Sequence, residues 1–129
     1  MHWQVAFHDA FEPEFAVLAA SVQNELLAHA ILLRDYGPGL GRPTVDTLKG
    51  SRHSNMKELR FRNGNEVWRV AFAFDPSRQA VLLVAGDKAG ADQRLFYKRL
   101  IEKADGRFTQ HLSTVNALSK ENQHGKKTR

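Results

Sequence analysis

The chain has 129 residues, of which 42% are hydrophobic and 26% charged, and its formal net charge is +5. That length suits one domain around one core. It contains no cysteine, which excludes disulfides, thiol nucleophiles and cysteine metal sites, and no apolar run approaches the ~20 residues needed to cross a bilayer.

The first residues, "MHWQVAFHD", lack the basic and long apolar regions of a secretory leader, so a cytoplasmic location is expected. "HWQVAF" alternates His2, Gln4 and Ala6 against Trp3, Val5 and Phe7, which predicts a first strand. Between Pro13 and Gly37 there is neither proline nor glycine. Phe15, Leu18, Val22 and Leu26 recur there at helical spacing, so one helix is expected from about Glu12 to Tyr36. Pro13 suits its first turn and Asp9 is a candidate cap. Residues 37–54 form a long glycine- and proline-rich loop, with a short helical turn expected in "TVDTLKG".

Three strands follow, at about 55–62, 66–74 and 79–86. Asn63-Gly64 signals a hairpin, and "DPSR" at 75–78 signals a type I turn. The strands therefore form an antiparallel meander. From about Asp92, Phe96, Tyr97, Leu100, Ile101 and Ala104 make a helical stripe, Gly106 interrupts it, and Phe108, Leu112 and Val115 resume it. Apolar residues then stop. The expected organisation is one domain, 1–118, and a disordered basic tail, 119–129. The order β-α-β-β-β-α predicts an α+β fold: a small, twisted, mainly antiparallel sheet with helices on one face.

Charge is unevenly spread. Residues 1–35 hold one arginine against five carboxylates, whereas residues 49–69 hold Lys49, Arg52, Lys57, Arg60, Arg62 and Arg69 against two glutamates. A local basic patch draws a polyanion, with nucleic acid the first candidate; a solvated strand face is the other reading. Leu59 and Phe61 pair with Trp68, Val70, Phe72 and Phe74 on a core face. Parity then puts Arg60 and Arg69 together on the other, open face. A four-residue loop after Arg62 would set the two arginines directly opposite, where they repel. Glu58 relieves part of this, and a bound phosphate would relieve more.

"VAGDKAG" puts Lys88 at the sheet rim, either within reach of the arginines or as a solvated turn residue. Cleavage of RNA by its own 2′-oxygen needs a base, an acid and cations for the charged phosphorane. Arginine and lysine fill the last role, and lysine can also act as a base. Tyr97 can stack on a base or supply a proton, or else be a core ring with its hydroxyl at the edge. The six histidines, His53 and His111 among them, show no metal-ligand spacing, and no metal or cofactor is expected.

"LKGSRHSNMKELRF", "WRVAFAFDPSRQAVLLVAGDK" and "YKRLIEKAD" followed by "FTQHL", in that order, resemble the HigB branch of the RelE/ParE toxin superfamily, within it the phage-derived group, over roughly residues 1–118. The resemblance implies a type II toxin–antitoxin toxin that cleaves mRNA on the ribosome without a metal. It also implies a helix-turn-helix, HigA-like antitoxin and no membrane partner. By position it makes Arg60, Arg69, Lys88 and Tyr97 the catalytic candidates and adds Lys57 to the RNA-binding set with Lys49, Arg52 and Arg62. Gyrase poisons share the superfamily, so gyrase inhibition and a non-catalytic binding module stay open at this point.

Overall fold

A five-stranded sheet forms the centre of the computed structural model, which describes residues 2–127, with side chains through Leu118. The strands are β1 (Gln4–Phe7), β2 (Val45–Thr47), β3 (Lys57–Asn63), β4 (Glu66–Phe74) and β5 (Gln79–Asp87). Their spatial order is β1-β5-β4-β3-β2. β1 pairs with β5 in parallel, and the other pairings are antiparallel. The meander forms as expected, with Arg60 opposite Arg69 and Phe61 opposite Trp68. The turn itself is Gly64-Asn65, with Gly64 at φ 61°, a backbone region glycine enters at little cost.

The α+β class stands, but the helices lie on both faces of the sheet. α1 (Phe11–Ala16) and α2 (Ala20–Tyr36) cover one face. There Phe11, Val22, Leu26 and Leu33 pack with Leu59, Phe61, Val70, Phe72 and Leu82. α3 (Gln93–Lys127) covers the other, where Leu100, Ala104 and Phe108 pack with Met56, Ala71, Ala73, Val81 and Leu83. The expected single helical face is therefore wrong. The physical reason shows in "AVLLV": a strand buried on both faces reads as a continuous apolar run, not an alternating one.

Three further expectations are corrected. The helix from Glu12 to Tyr36 is two helices: it breaks at Val17–Ala19, where the Leu18 amide bonds the Phe15 carbonyl (3.1 Å). Phe15 turns in to meet Phe7 edge-on, with ring centroids 4.8 Å apart, and the Gln23 amide bonds the Phe15 carbonyl (2.9 Å). Asp9 does not cap the first helix: its N-cap is Ala10, with no side-chain cap, and His8 braces the turn that leads into it. Its Nδ1 accepts the Ala10 amide (3.0 Å), and its carbonyl accepts those of Phe11 and Glu12 (2.9 and 3.0 Å). The helical turn expected in "TVDTLKG" is the edge strand β2, because Val45 and Leu48 bury into the two opposite cores.

Gly106 does not interrupt α3. The tail expected to be disordered, 119–129, lies partly outside the described residues, and its backbone continues as helix to Lys127. No helix among the described residues is long and apolar enough to cross a membrane.

Candidate functional site

The charged row of β3 is open only in part: Arg60 and Arg62 are exposed, whereas Glu58 is covered. Glu58 is only 2% exposed, roofed by the first turns of α3. A buried carboxylate needs partners, and two are present. Arg60 Nε donates to Glu58 Oε1, and the Tyr97 hydroxyl donates to the same oxygen at 3.1 Å. Arg69 Nε in turn donates to the Tyr97 hydroxyl at 2.7 Å, and Arg69 Nη1 donates to the Val67 carbonyl at 3.2 Å. The result is one hydrogen-bonded run: Arg60, Glu58, Tyr97, Arg69. It resolves the repulsion built into the register, because the carboxylate and the phenol stand between the two guanidiniums.

Local structure fixes each member. Strand parity aligns Glu58, Arg60 and Arg69 on the α3 side of the sheet. Gly86, opposite Arg69, lets α3 approach: a Cβ there would stand 2.9 Å from Phe96 Cε1. Phe96 seats on that glycine and sets its neighbour Tyr97 over the arginines. The Arg69 guanidinium carbon then lies 5.8 Å from the Phe96 ring centroid and 5.7 Å from that of Tyr97, within cation–π range.

Burial first, and then the Glu58 charge, hold the Tyr97 phenol above its ordinary pKa, with Arg69 opposing them. The hydrogen bond to Glu58 holds the Arg60 guanidinium above its own. At neutral pH the phenol keeps its proton, and Arg69 stands ready to stabilise the phenolate if that proton leaves.

The other sequence candidates divide. Lys49 and Arg52 join Tyr97, Arg94 and Lys98 around an open groove of about 800 Å³ between the 49–52 loop and α3. Asp105, buried on α3, pins that loop by accepting the Ser51 hydroxyl and the Arg52 amide. Arg62 is exposed and shares the parity of Arg60, at the hairpin end. Lys88 follows the end of β5, two residues past Gly86. It is half-exposed, and its ammonium bonds nothing among the described residues. Lys57 has the opposite parity, opposite Phe72 and on the Leu59 side, and does not reach the cluster. Trp68, expected in the core, is half-buried, its indole donating to Glu66 (3.0 Å).

Sequence reasoning gave Glu58 a minor part and missed the Gly86–Phe96 contact. A glutamate two residues from an arginine that itself faces a second arginine across the ladder was the available signal. No group of three or more His, Cys, Asp or Glu side chains among the described residues is placed to hold a metal ion.

The sheet and its helices have the fold of a solved bacterial toxin, RelE. The mutant E. coli toxin RelE in its free state superposes with a TM-score of 0.58 at 12% identity, over 80% of this chain and 97% of that one; at that identity the likeness is one of fold. The chain belongs to the phage-derived Gp49-like family (DUF891), which matches residues 13–109. Two relatives from Mycobacterium tuberculosis (strain ATCC 25618 / H37Rv) are named "Putative toxin HigB2" and "Putative toxin HigB3". The first is 50% identical over 91 residues, 69% of this chain and 45% of the relative. The second is 53% identical over 76 residues, 59% of this chain and 64% of the relative. The matched stretch is thus under two thirds of either relative's length.

Proposed function

We propose that this chain is the toxin of a type II toxin–antitoxin system, a metal-independent endoribonuclease that cuts mRNA on the ribosome in the cytoplasm. A helix-turn-helix, HigA-like antitoxin is the partner that restrains it. The observation that carries the reading is the run from Arg60 through Glu58 and Tyr97 to Arg69. It joins a proton acceptor, a protonated phenol and two fixed cations within hydrogen-bond reach of one another. The relatives' names and the RelE fold support the toxin class.

In the proposed reaction the ribose 2′-oxygen attacks the adjacent phosphorus, and its proton passes to the Tyr97 oxygen as the phenol gives its own proton to the buried Glu58 carboxylate. Arg60 and Arg69 stabilise the doubly charged phosphorane through guanidinium N–H groups not spent on the internal run. The P–O5′ bond breaks as Tyr97 gives its proton to the departing oxygen, while Arg69 holds the phenolate. Glu58 then returns its proton to Tyr97, leaving a 2′,3′-cyclic phosphate, a 5′-hydroxyl and the starting enzyme. Lys88 supplies further positive charge at the rim, and Lys49, Arg52 and Arg62 hold the flanking phosphates.

The test is primer extension on a message incubated with translating ribosomes and the purified chain, with chelator added once initiation is complete. Discrete new ends that persist in chelator are expected. An intact message beside inhibited supercoiling by gyrase would replace this reading with gyrase poisoning. An intact message with active gyrase would leave a binding module.

A further inference from the structure

α3 carries a second anchor about two turns beyond Tyr97. Tyr97, Ile101, Asp105 and Thr109 recur every fourth residue and so fall along one stripe of the helix. Tyr97, Ile101 and Asp105 line the same groove as Lys49 and Arg52 of the loop between β2 and β3.

Asp105 is spent on that loop. Its side chain is only 7% exposed. Oδ1 accepts the Ser51 hydroxyl, Oδ2 accepts the Arg52 amide at 3.0 Å, and Arg52 Nε lies 3.8 Å from Oδ2. The Ser51 oxygen in turn accepts the His53 amide at 2.9 Å. One turn further along α3, the Thr109 hydroxyl and His53 Nε2 share a hydrogen bond of 3.0 Å, and the His53 ring stands edge-on to Phe108 with centroids 5.0 Å apart. Gly50, at φ 98°, turns the chain just above Ile101, whose Cδ1 a Cβ there would meet at 3.8 Å.

These bonds fix the place of two exposed cations, Lys49 and Arg52, on either side of the turn. A buried carboxylate adds little net stability over an apolar residue of its size. It does supply directed acceptors, and they hold the loop at one position along the helix. Cations on an untethered loop would have to be ordered by their ligand, at a cost in affinity.

We propose that Asp105 is a positioning residue for RNA capture: it holds the 49–53 loop against α3 so that Lys49 and Arg52 receive a phosphate next to the one held by Arg60 and Arg69. Its effect falls on binding and not on the chemical step, because its bonds go to the loop, whereas the run from Arg60 to Arg69 is closed through Glu58 and Tyr97. The inference rests on RNA as the ligand, as proposed above, but not on the RNA being cut.

Two measurements on the full chain test it: cleavage rate against the concentration of message-loaded ribosomes, and fluorescence anisotropy of a labelled single-stranded oligoribonucleotide. Asp105→Ala frees the loop and is expected to raise KM and the oligonucleotide Kd by about tenfold, with kcat held within about threefold. In Asp105→Asn the amide oxygen still accepts the Arg52 N–H and the amide nitrogen donates to the Ser51 oxygen, so both constants should return to within about threefold of the parent. Coupling is the readout that a merely structural role would not give. With Lys49 and Arg52 both replaced by alanine, adding Asp105→Ala should leave KM and Kd where they are. Ser51→Ala, which loosens the loop without touching α3, should raise both constants, and it carries the test if Asp105→Ala does not fold. An unchanged Kd in the folded loop-freeing variant would overturn the proposal. An equal further rise in the Lys49 and Arg52 background would do so too, as would a parent chain with no affinity for RNA. Tenfold weaker binding by Asp105→Ala, from a parent that binds RNA and cuts nothing, would keep the positioning role and discard the cleavage.

Discussion

Glu58 is the residue on which the site turns. Its neighbours in sequence suggest a solvated row of charge, yet it is buried, and it reconciles two arginines that the register sets face to face. Arg69→Ala removes a donor to Tyr97 and leaves the inward-facing core intact. Cleavage is expected to fall by ~10²–10³, while the two lost hydrogen bonds lower stability by about 1–2 kcal/mol. A cleavage assay and a thermal melt on the same preparation check both halves; unchanged cleavage with a normal melt removes Arg69 from the mechanism.

His8 offers a second prediction at this scale. Burial, then the nearby Arg107 cation, hold its imidazole below the ordinary 6.5. His111 acts in the same direction, while Asp9 and a bond with Gln110 oppose them. As pH falls, the unfolded chain takes up this proton first. The stability His8 contributes is therefore complete above about 6.5 and is lost as pH falls below it toward the folded value. His8→Asn keeps an acceptor for the Ala10 amide without titrating. Its melting temperature should fall less than that of the parent chain between neutral and mildly acidic pH, and parallel curves would rule His8 out as the cause.

Among the elements, α3 does the most to shape the site, and it can do so because β5 carries a glycine where the helix begins. In Gly86→Ala the new Cβ meets Phe96 at 2.9 Å, and the ring must move. Overpacking of this kind costs about 1–3 kcal/mol. Phe96 and Tyr97 shift together, so cleavage should fall by more than the stability loss explains. The Tyr97 ring resonances should move in NMR spectra of a fully folded sample, and unmoved resonances with full activity would show that the contact does not position the phenol. Trp68, by contrast, is only half-buried on the α2 side. Trp68→Ala is expected to cost roughly half of the ~3–5 kcal/mol of a fully buried ring, leaving a weakened but folded protein.

At the scale of the whole molecule, acidic and basic residues are carried by different elements. The acidic segment 1–35 builds β1, α1 and α2, and the basic residues 49–69 supply β3, β4 and the loop before them. RNA should therefore approach from the β3–β4 side. If Arg52, Arg60, Arg62 and Arg69 each neutralise a phosphate, the logarithm of the affinity for single-stranded RNA falls with the logarithm of salt at a slope of about −3. Arg62→Ala should reduce that slope by about 0.7 without moving the melt. A slope near zero would show that the basic side does not bind the backbone.

Much of this was legible in the sequence because it depends on periodicity and local turn chemistry. Residue alternation put Arg60 opposite Arg69 and kept Leu59 and Phe61 inward. Asn63-Gly64 and "DPSR" marked the meander, and the spacing from Phe96 to Phe108 marked the last helix. The continuous run "AVLLV" also announced burial on both faces, although alternation elsewhere pointed to one. Tertiary structure alone decided the rest. Nothing local breaks the helix at Val17; the pull of Phe15 toward Phe7 does. Nothing in "TVDTLKG" demands a strand until Val45 and Leu48 have two cores to enter. Glu58 reads as a surface charge until α3 closes over it. The meeting of Tyr97 with Glu58, 39 positions apart, depends on the depth at which Phe96 settles on Gly86, and that depth is set by packing between elements, not by any pattern along the chain.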